Sequence, residues 1–298
     1  MGVDLPCHGE EKSFGEALAR VSFDAEALVE LQAAIRSDVE RSPGDKPVDH
    51  LAGLADLQPG PAVDILMHLA ASLRGPGSSG SPAGLLGIKE LWIEEFLQPL
   101  HEACEFRGIH MIRDPRAVFA SRNYGSYRDR HNQDRYPILF IANAWKRSVH
   151  YAQRHVARAE ITRLRYEDLV TDPEGTLIPL CAHLGVAYDE RMLDSRLYRN
   201  GVGEIWKTNS SFFSGERGVH AGAVDKWRKL VRDEEAGLLE YLCADEMDFM
   251  GYERAVPEFG QTEFEDYQEA EESITPWLRR APFLLTAEAK NEILKERG

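Results

Sequence analysis

The chain has 298 residues, 43% of them hydrophobic and 29% charged, which suffices for one large core or a core with an appended segment. Its formal net charge of -15 repels polyphosphate and acidic lipid alike, and this argues against non-specific adhesion to nucleic acid or to an anionic membrane. Any anionic ligand needs a local exception to that field.

From Asp24 to Arg41 the apolar residues Leu28, Leu31, Ile35 and Val39 recur at helical spacing, with Asp24 placed to cap the start and Ser42-Pro43 to end it. Val63, Leu66, Leu69 and Leu73 predict a second helix. The stretch from Arg74 to Pro82 that follows is rich in Gly, Ser and Pro and reads as a linker. It is not a phosphate-binding loop, because it follows a helix and lacks the Gly-Lys-Ser/Thr ending that such a loop uses. Leu91 to Cys104 reads as a helix, Gly108 to Ile112 as a short buried strand, and Pro115 onward as a helix with proline at its first position. Ile138 to Ala157 is expected to be helical, Ile161 to Arg165 a second short strand, and Thr176 to Leu184 a helix ending at Gly185. Val224 to Arg232 and Glu234 to Phe249 predict two more helices, the second closing at Gly251-Tyr252. Alternating strands and helices argue for an α/β fold with a parallel sheet covered by helices. Beyond Pro257 the chain turns acidic, so the expected division is a main domain over 1–256 and an acidic extension over 257–298.

Four cysteines, Cys7, Cys104, Cys181 and Cys243, lie far apart with no CxxC pair, so buried free thiols are expected rather than a disulfide framework or a zinc site. No apolar run reaches the roughly 18 residues of a spanning helix. The first seven residues lack the basic and apolar regions of a signal peptide. A cytoplasmic protein with no membrane segment, no metal and no nucleic-acid partner is the expectation.

The local exception to the acidic field lies between Arg107 and Arg165, where twelve Arg and one Lys stand against the four acids Asp114, Asp129, Asp134 and Glu160. Within it, Arg113 leaves the carboxyl end of a predicted strand, where ligands bind in open α/β sheets, and Asp114-Pro115 starts a helix beside it. A guanidinium there can grip a phosphate with two parallel hydrogen bonds. Ser121 is two turns into the helix, roughly 9 to 12 Å along its axis at about 1.5 Å per residue. A terminal phosphate on a nucleotide ribose can reach both side chains.

The run Arg113-Asp114-Pro115-Arg116-Ala117-Val118, with Ser121 eight positions after Arg113, resembles the 3'-phosphate-binding motif of sulfotransferases that use 3'-phosphoadenosine 5'-phosphosulfate (PAPS), in particular the carbohydrate 6-O-sulfotransferases and tyrosylprotein sulfotransferases. Arg165-Tyr166-Glu167-Asp168-Leu169-Val170, followed by Asp172-Pro173 and Leu184-Gly185-Val186, is similar to that family's next block. Asn209-Ser210-Ser211, then Asp225-Lys226-Trp227-Arg228-Lys229, resembles its loop closing over PAPS and the Lys/Arg-Trp segment after it. The resemblance spans about Glu10 to Tyr252.

The resemblance implies a P-loop NTPase-like three-layer fold with a central parallel sheet flanked by helices. It also implies that the family's first strand and glycine-rich 5'-phosphosulfate loop would stand ahead of Met1. By the same likeness Arg113 and Ser121 hold the 3'-phosphate, Tyr166 lies against the nucleotide, Ser211 and Lys226 approach the nucleotide or the phosphosulfate bridge, and Trp227 packs. Cys7-His8-Gly9-Glu10-Glu11 looks like the family's Gly-Glu-Glu segment, so Glu11, or Glu10 if the register slips, would be the general base. Lys89 falls where the family often carries a lysine and, with Ser211, would stabilise the leaving oxygen. The implied reaction is sulfuryl transfer from PAPS to a hydroxyl on a carbohydrate, other small molecule or protein. The alternative is a truncated or degenerate relative that binds nucleotide and catalyses nothing.

Overall fold

The computed structural model describes residues 21–41, 53–62, 64–65, 68–69, 94, 97, 101, 106–124, 136–155, 158–198, 221–256, 259–260 and 262–263. The chain divides into two compact units. One comprises Met1–Pro6, Glu10–Phe106 and Arg196–Lys207, and the other Cys7–Gly9, Arg107–Ser195 and Thr208–Gly298.

In the first unit, strand β1 (Ser22–Phe23) leads into helix α1 (Ala25–Arg41), and β1 pairs antiparallel with β2 (Gly60–Pro61). The Asp24 carboxylate accepts the Ala27 N–H at 2.9 Å, so it satisfies one of the donors that a helix start leaves open, as the sequence predicts. Leu28 is buried with Leu54, Leu57 and Ile65, and Leu31 and Ile35 pack against that cluster, which is the face the apolar spacing marks out. The β1–β2 pairing has no counterpart in the sequence pattern, because two residues per strand are too few to show alternation.

The second unit is built on β3 (Gly108–Ile112) and β4 (Ile161–Arg165), a parallel pair in the register Gly108↔Ile161 to Ile112↔Arg165. Both strands have the bounds the sequence predicts. Their connection holds helices α2 (Pro115–Asn123) and α3 (Ile138–His155), the crossover that a parallel pair requires. Helix α3 packs on both strands, and the side chains of His110 on β3 and Ser148 on α3 meet at 3.0 Å. These elements give an α/β architecture. Gly108, His110 and Ile112 are buried, whereas Ile109 and Met111 are 40% and 48% exposed, so β3 is covered on one face and not on both.

After β4 the chain enters helix α4 (Tyr166–Thr171) without a loop, then α5 (Pro173–Leu184). Helix α5 starts three residues before Thr176, because Asp172 caps it through Gly175 N–H at 3.1 Å and Pro173 supplies a pre-set φ at its first position. It ends at Gly185, whose φ of 73° is open to glycine at little cost, and Val186 N–H returns to Cys181 O at 2.9 Å.

Within the expected helix from Val224 to Arg232 the chain forms one short 3-10 turn, Lys226–Lys229, and another, Ala221–Ala223, stands just before it. The expected helix from Glu234 to Phe249 is two segments, α6 (Asp233–Leu242) and α7 (Ala244–Met250), joined at Cys243. The bonds Cys243 N–H to Leu239 O and Met247 N–H to Cys243 O carry the backbone through the junction, so the sequence pattern sees one amphipathic stripe. Helix α7 closes at Gly251 with φ of 72°, as expected.

The core of this unit gathers Ile112, Phe119, Trp145, Val149, Leu239 and Met247 from β3 and from helices α2, α3, α6 and α7. Phe119 is fully buried, and burial of such a side chain stabilises by about 1.5–3 kcal/mol. Phe259, beyond the expected boundary at 257, lies against the same core, at the surface of Gly237. Cys181 and Cys243 are buried free thiols, and burial pushes the Cys243 thiol up to about 12. Cys7 and Cys104 lie outside the described residues.

Candidate functional site

The two parallel strands end side by side, β3 at Ile112 and β4 at Arg165, and each hands the chain directly to a helix start. In such sheets the carboxyl edge is where ligands approach, because backbone N–H groups and side chains at the strand-to-helix bends face outward there. The residue that follows each strand end is Arg113 on one and Tyr166 on the other. Register carries them to the same side, and the Arg113 guanidinium lies over the Tyr166 ring at 4.4 Å from its centre.

Arg113 Nη2 donates to Ala223 O at 3.1 Å, while its Nε is shut off from solvent and has no hydrogen-bond partner. A buried N–H donor without a partner is costly, of the order of 1–3 kcal/mol, and is therefore a place to look for a ligand acceptor. A continuous helix would offer the Ala223 carbonyl to Trp227 N–H. Here that carbonyl accepts from Arg113, and the chain forms the 3-10 turn Lys226–Lys229 where a helix is expected.

The bend after Arg113 is fixed by the residues around it. Asp114 caps α2 and accepts from Arg116 three times, from N–H at 2.8 Å, from Nε at 2.9 Å and from Nη2 at 2.6 Å. Arg116 is itself buried, bonds Glu240 through Nη1, and lies over the Trp227 ring at 4.1 Å. Burial alone would lower the proton affinity of this guanidinium, but hydrogen bonds and charge from Asp114 and Glu240 outweigh it and leave it raised. Glu240 also accepts Ala255 N–H at 2.9 Å and Val256 N–H at 2.8 Å, so its lone pairs are well used. Arg116 is thus a structural cation, three residues from one that retains an unused donor.

Ser121 lies on α2, where Val118, Ser121 and Arg122 are half-buried while Ala117, Phe119, Ala120 and Asn123 are buried. Positions i, i+3 and i+4 form one stripe, so Ser121 belongs to the accessible side of the helix. Lys226 stands in the turn Lys226–Lys229, which packs against α2, and its neighbour Trp227 is buried, as the sequence reading expects of that tryptophan. The expected site residues Glu10, Glu11, Lys89 and Ser211 lie outside the described residues. Among the described residues the structure therefore joins Arg113 directly to Tyr166, and it places Ser121 and Lys226 on elements that pack together.

Three side chains at this bend, Glu167, Tyr252 and Trp145, have no site role that the sequence assigns. Glu167 Oε1 accepts Asp114 N–H at 3.1 Å, Tyr252 donates its hydroxyl to Glu167 Oε2 at 2.8 Å, and Trp145 Nε1 donates to Arg113 O at 2.7 Å. Burial first, then the neighbouring Glu167 carboxylate, raises the Tyr252 hydroxyl well above its ordinary value, so it stays protonated and remains a donor. An acid in the first turn of a helix that opens at a strand end was the available clue to Glu167. Trp145 looks like any core aromatic in an amphipathic helix.

The described residues contain no group of three or more His, Cys, Asp or Glu arranged to hold a metal, and no described helix is long and apolar enough to cross a membrane. Residues 103–190, which hold both strand ends and helices α2 to α5, match the family model described as "Sulfotransferase family". Two solved structures are similar. The "Sulfotransferase Domain from the Curacin Biosynthetic Pathway" is 17% identical with a TM-score of 0.48, over 85% of this chain and 82% of that one. The "Sulfotransferase Domain from the Synechococcus PCC 7002 Olefin Synthase" is 21% identical with a TM-score of 0.49, over 74% of this chain and 70% of that one. No curated protein matches the sequence.

Proposed function

We propose, from the sulfotransferase-family match of residues 103–190, that this protein transfers a sulfuryl group from PAPS to an acceptor hydroxyl and releases adenosine 3',5'-bisphosphate. The observation that supports it most is the Arg113 guanidinium at the carboxyl edge of the parallel pair, stacked on Tyr166 and keeping a desolvated Nε–H with no partner. That donor set fits a phosphate. A dianionic oxygen group supplies the acceptor that Nε lacks, and charge-assisted bonds of this kind contribute about 1.5–3 kcal/mol each. Ser121, on the accessible stripe of α2, donates a second bond to the same phosphate, and the Tyr166 ring presents an aromatic face to the adenosine. Lys226 adds positive charge toward the phosphosulfate.

In the transfer itself the acceptor oxygen bonds to sulfur as the bond from sulfur to the bridging phosphate oxygen breaks, and that oxygen leaves with the electron pair. The acceptor proton passes to a carboxylate, which the resemblance assigns to Glu11 or Glu10. Negative charge on the leaving oxygen is met by Lys89 and Ser211. The acceptor is a hydroxyl-bearing molecule, with carbohydrate the first class to test.

The reading is tested by Arg113→Ala with calorimetric titration of adenosine 3',5'-bisphosphate. Loss of one charge-assisted contact predicts affinity at least tenfold weaker, since about 1.4 kcal/mol corresponds to a factor of ten. Wild-type affinity in that variant removes the anchor of the assignment.

A further inference from the structure

A single peptide unit, the one joining Arg113 to Asp114, is held at both of its polar ends by side chains. Its carbonyl accepts Trp145 Nε1–H at 2.7 Å, and its N–H donates to Glu167 Oε1 at 3.1 Å. Trp145 comes from α3 and Glu167 from the first turn of α4. The second oxygen of Glu167 is tied to the Tyr252 hydroxyl at 2.8 Å, just past the end of α7. All three side chains are buried. A peptide plane bonded on both edges cannot rotate without breaking one of those bonds in a place closed to water, so the direction in which the Arg113 side chain leaves the strand is set.

Glu167 needs such an explanation. A carboxylate beside a phosphate-binding arginine opposes anion binding by its charge, and both oxygens of this one are already engaged with the protein. A clamp on the backbone offsets that cost by preorganising the guanidinium, because a side chain already held in its binding direction loses less freedom when the ligand arrives.

We propose that Glu167, with Trp145 opposite it, is a positioning residue for the nucleotide: it fixes the Arg113–Asp114 peptide plane and thereby aims the Arg113 guanidinium at the 3'-phosphate. The inference rests on the reading that Arg113 holds that phosphate. It acts through Arg113 alone, and this separates it from a general contribution to stability.

The test is a double-mutant cycle read as the affinity for adenosine 3',5'-bisphosphate. Glu167→Ala is expected to bind about tenfold more weakly, the scale of re-ordering one freed side chain on binding expressed as affinity. Glu167→Gln keeps an acceptor for Asp114 N–H and is expected to recover most of that loss. The Arg113→Ala/Glu167→Ala pair is expected to bind no more weakly than Arg113→Ala alone. Wild-type affinity in Glu167→Ala, or losses that add in the double variant, would overturn the positioning role. So would Glu167→Gln binding as weakly as Glu167→Ala. Should Glu167→Ala fail to fold, Trp145→Phe, which removes the indole donor and keeps an aromatic ring, carries the same cycle with Arg113→Ala and the same two outcomes. Wild-type affinity in Arg113→Ala refutes the parent reading instead, whereas loss there with none in Glu167→Ala refutes only the clamp.

Discussion

Two turns in this chain are built from the same bonds and differ in what surrounds them. In Asp114-Pro115-Arg116 the aspartate accepts the arginine's backbone N–H at 2.8 Å and its Nε at 2.9 Å, and it meets Nη2 at 2.6 Å. In Asp189-Glu190-Arg191 the corresponding bonds are 2.9, 3.0 and 2.5 Å, and Asp189 again caps a helical turn, Glu190–Leu193. The first pair is buried and joined to Glu240 and Trp227, while the Arg191 side chain is 74% exposed. Bond geometry therefore does not rank these turns. In the buried turn each group was stripped of water and depends on its partner, whereas in the exposed turn water replaces a partner at little cost.

The largest expected effect follows from removing the shared cation. Arg116→Met leaves Asp114 and Glu240 buried without their counter-charge and takes the guanidinium off Trp227. A loss of about 3–5 kcal/mol in unfolding free energy is expected from urea titration. Next comes Asp114→Asn, which keeps an acceptor for the Arg116 N–H but turns an amide NH₂ toward a guanidinium donor. It should cost about 1.5–3 kcal/mol in the same titration, the scale of a hydrogen bond to a charged group. If Asp114→Asn matched Asp189→Asn in effect, burial would not be what separates the two turns.

The same distinction explains what could be read from the sequence and what could not. Gly108–Ile112 and Ile161–Arg165 were legible as strands because each is a short run bounded by strong turn or helix-start signals, and the helix ends at Gly185 and Gly251 announce themselves by glycine. Arg113 was legible as a ligand candidate from its place after a strand and before Asp-Pro. Its partner Tyr166 was suggested only by resemblance, since nothing local says that residues 53 positions apart share a register. The sequence assigns Arg116 no structural role, because one of the two acids that neutralise it, Glu240, lies 124 residues away in sequence, although the other, Asp114, stands two residues before it. Long-range pairing of that kind is invisible to periodicity and to charge counting.

The Val224–Arg232 segment misled for a related reason. Trp227, Leu230 and Val231 have helical spacing, yet the fold uses Ala223 O for Arg113 and sets Trp227 under Arg116. Tertiary bonds overrode the local preference. Helix ends marked by glycine are displayed in the sequence, whereas a role decided across the fold shows only in the folded structure.

The smallest effect is expected at the exposed turn, and its pH dependence has a definite sign. Hydrogen bonds from the Arg191 side chain, then its backbone N–H, hold the Asp189 carboxyl at about 2, below its ordinary value of 3.8. A carboxyl whose folded value is depressed adds stability above its unfolded value. That addition fades as pH falls from about 4 through about 2, where the folded form also takes up a proton. Asp189→Asn should therefore trail the parent protein in thermal midpoint in full only above about pH 4, by a gap that shrinks below it, and by little throughout, because solvent screens both partners. At pH 2 the two midpoints should converge. A gap that persisted unchanged to pH 2 would mean that Asp189 stabilises by capping the turn through its oxygen rather than by its charge, and a gap comparable to that of Asp114→Asn would show that exposure does not weaken this arrangement of bonds.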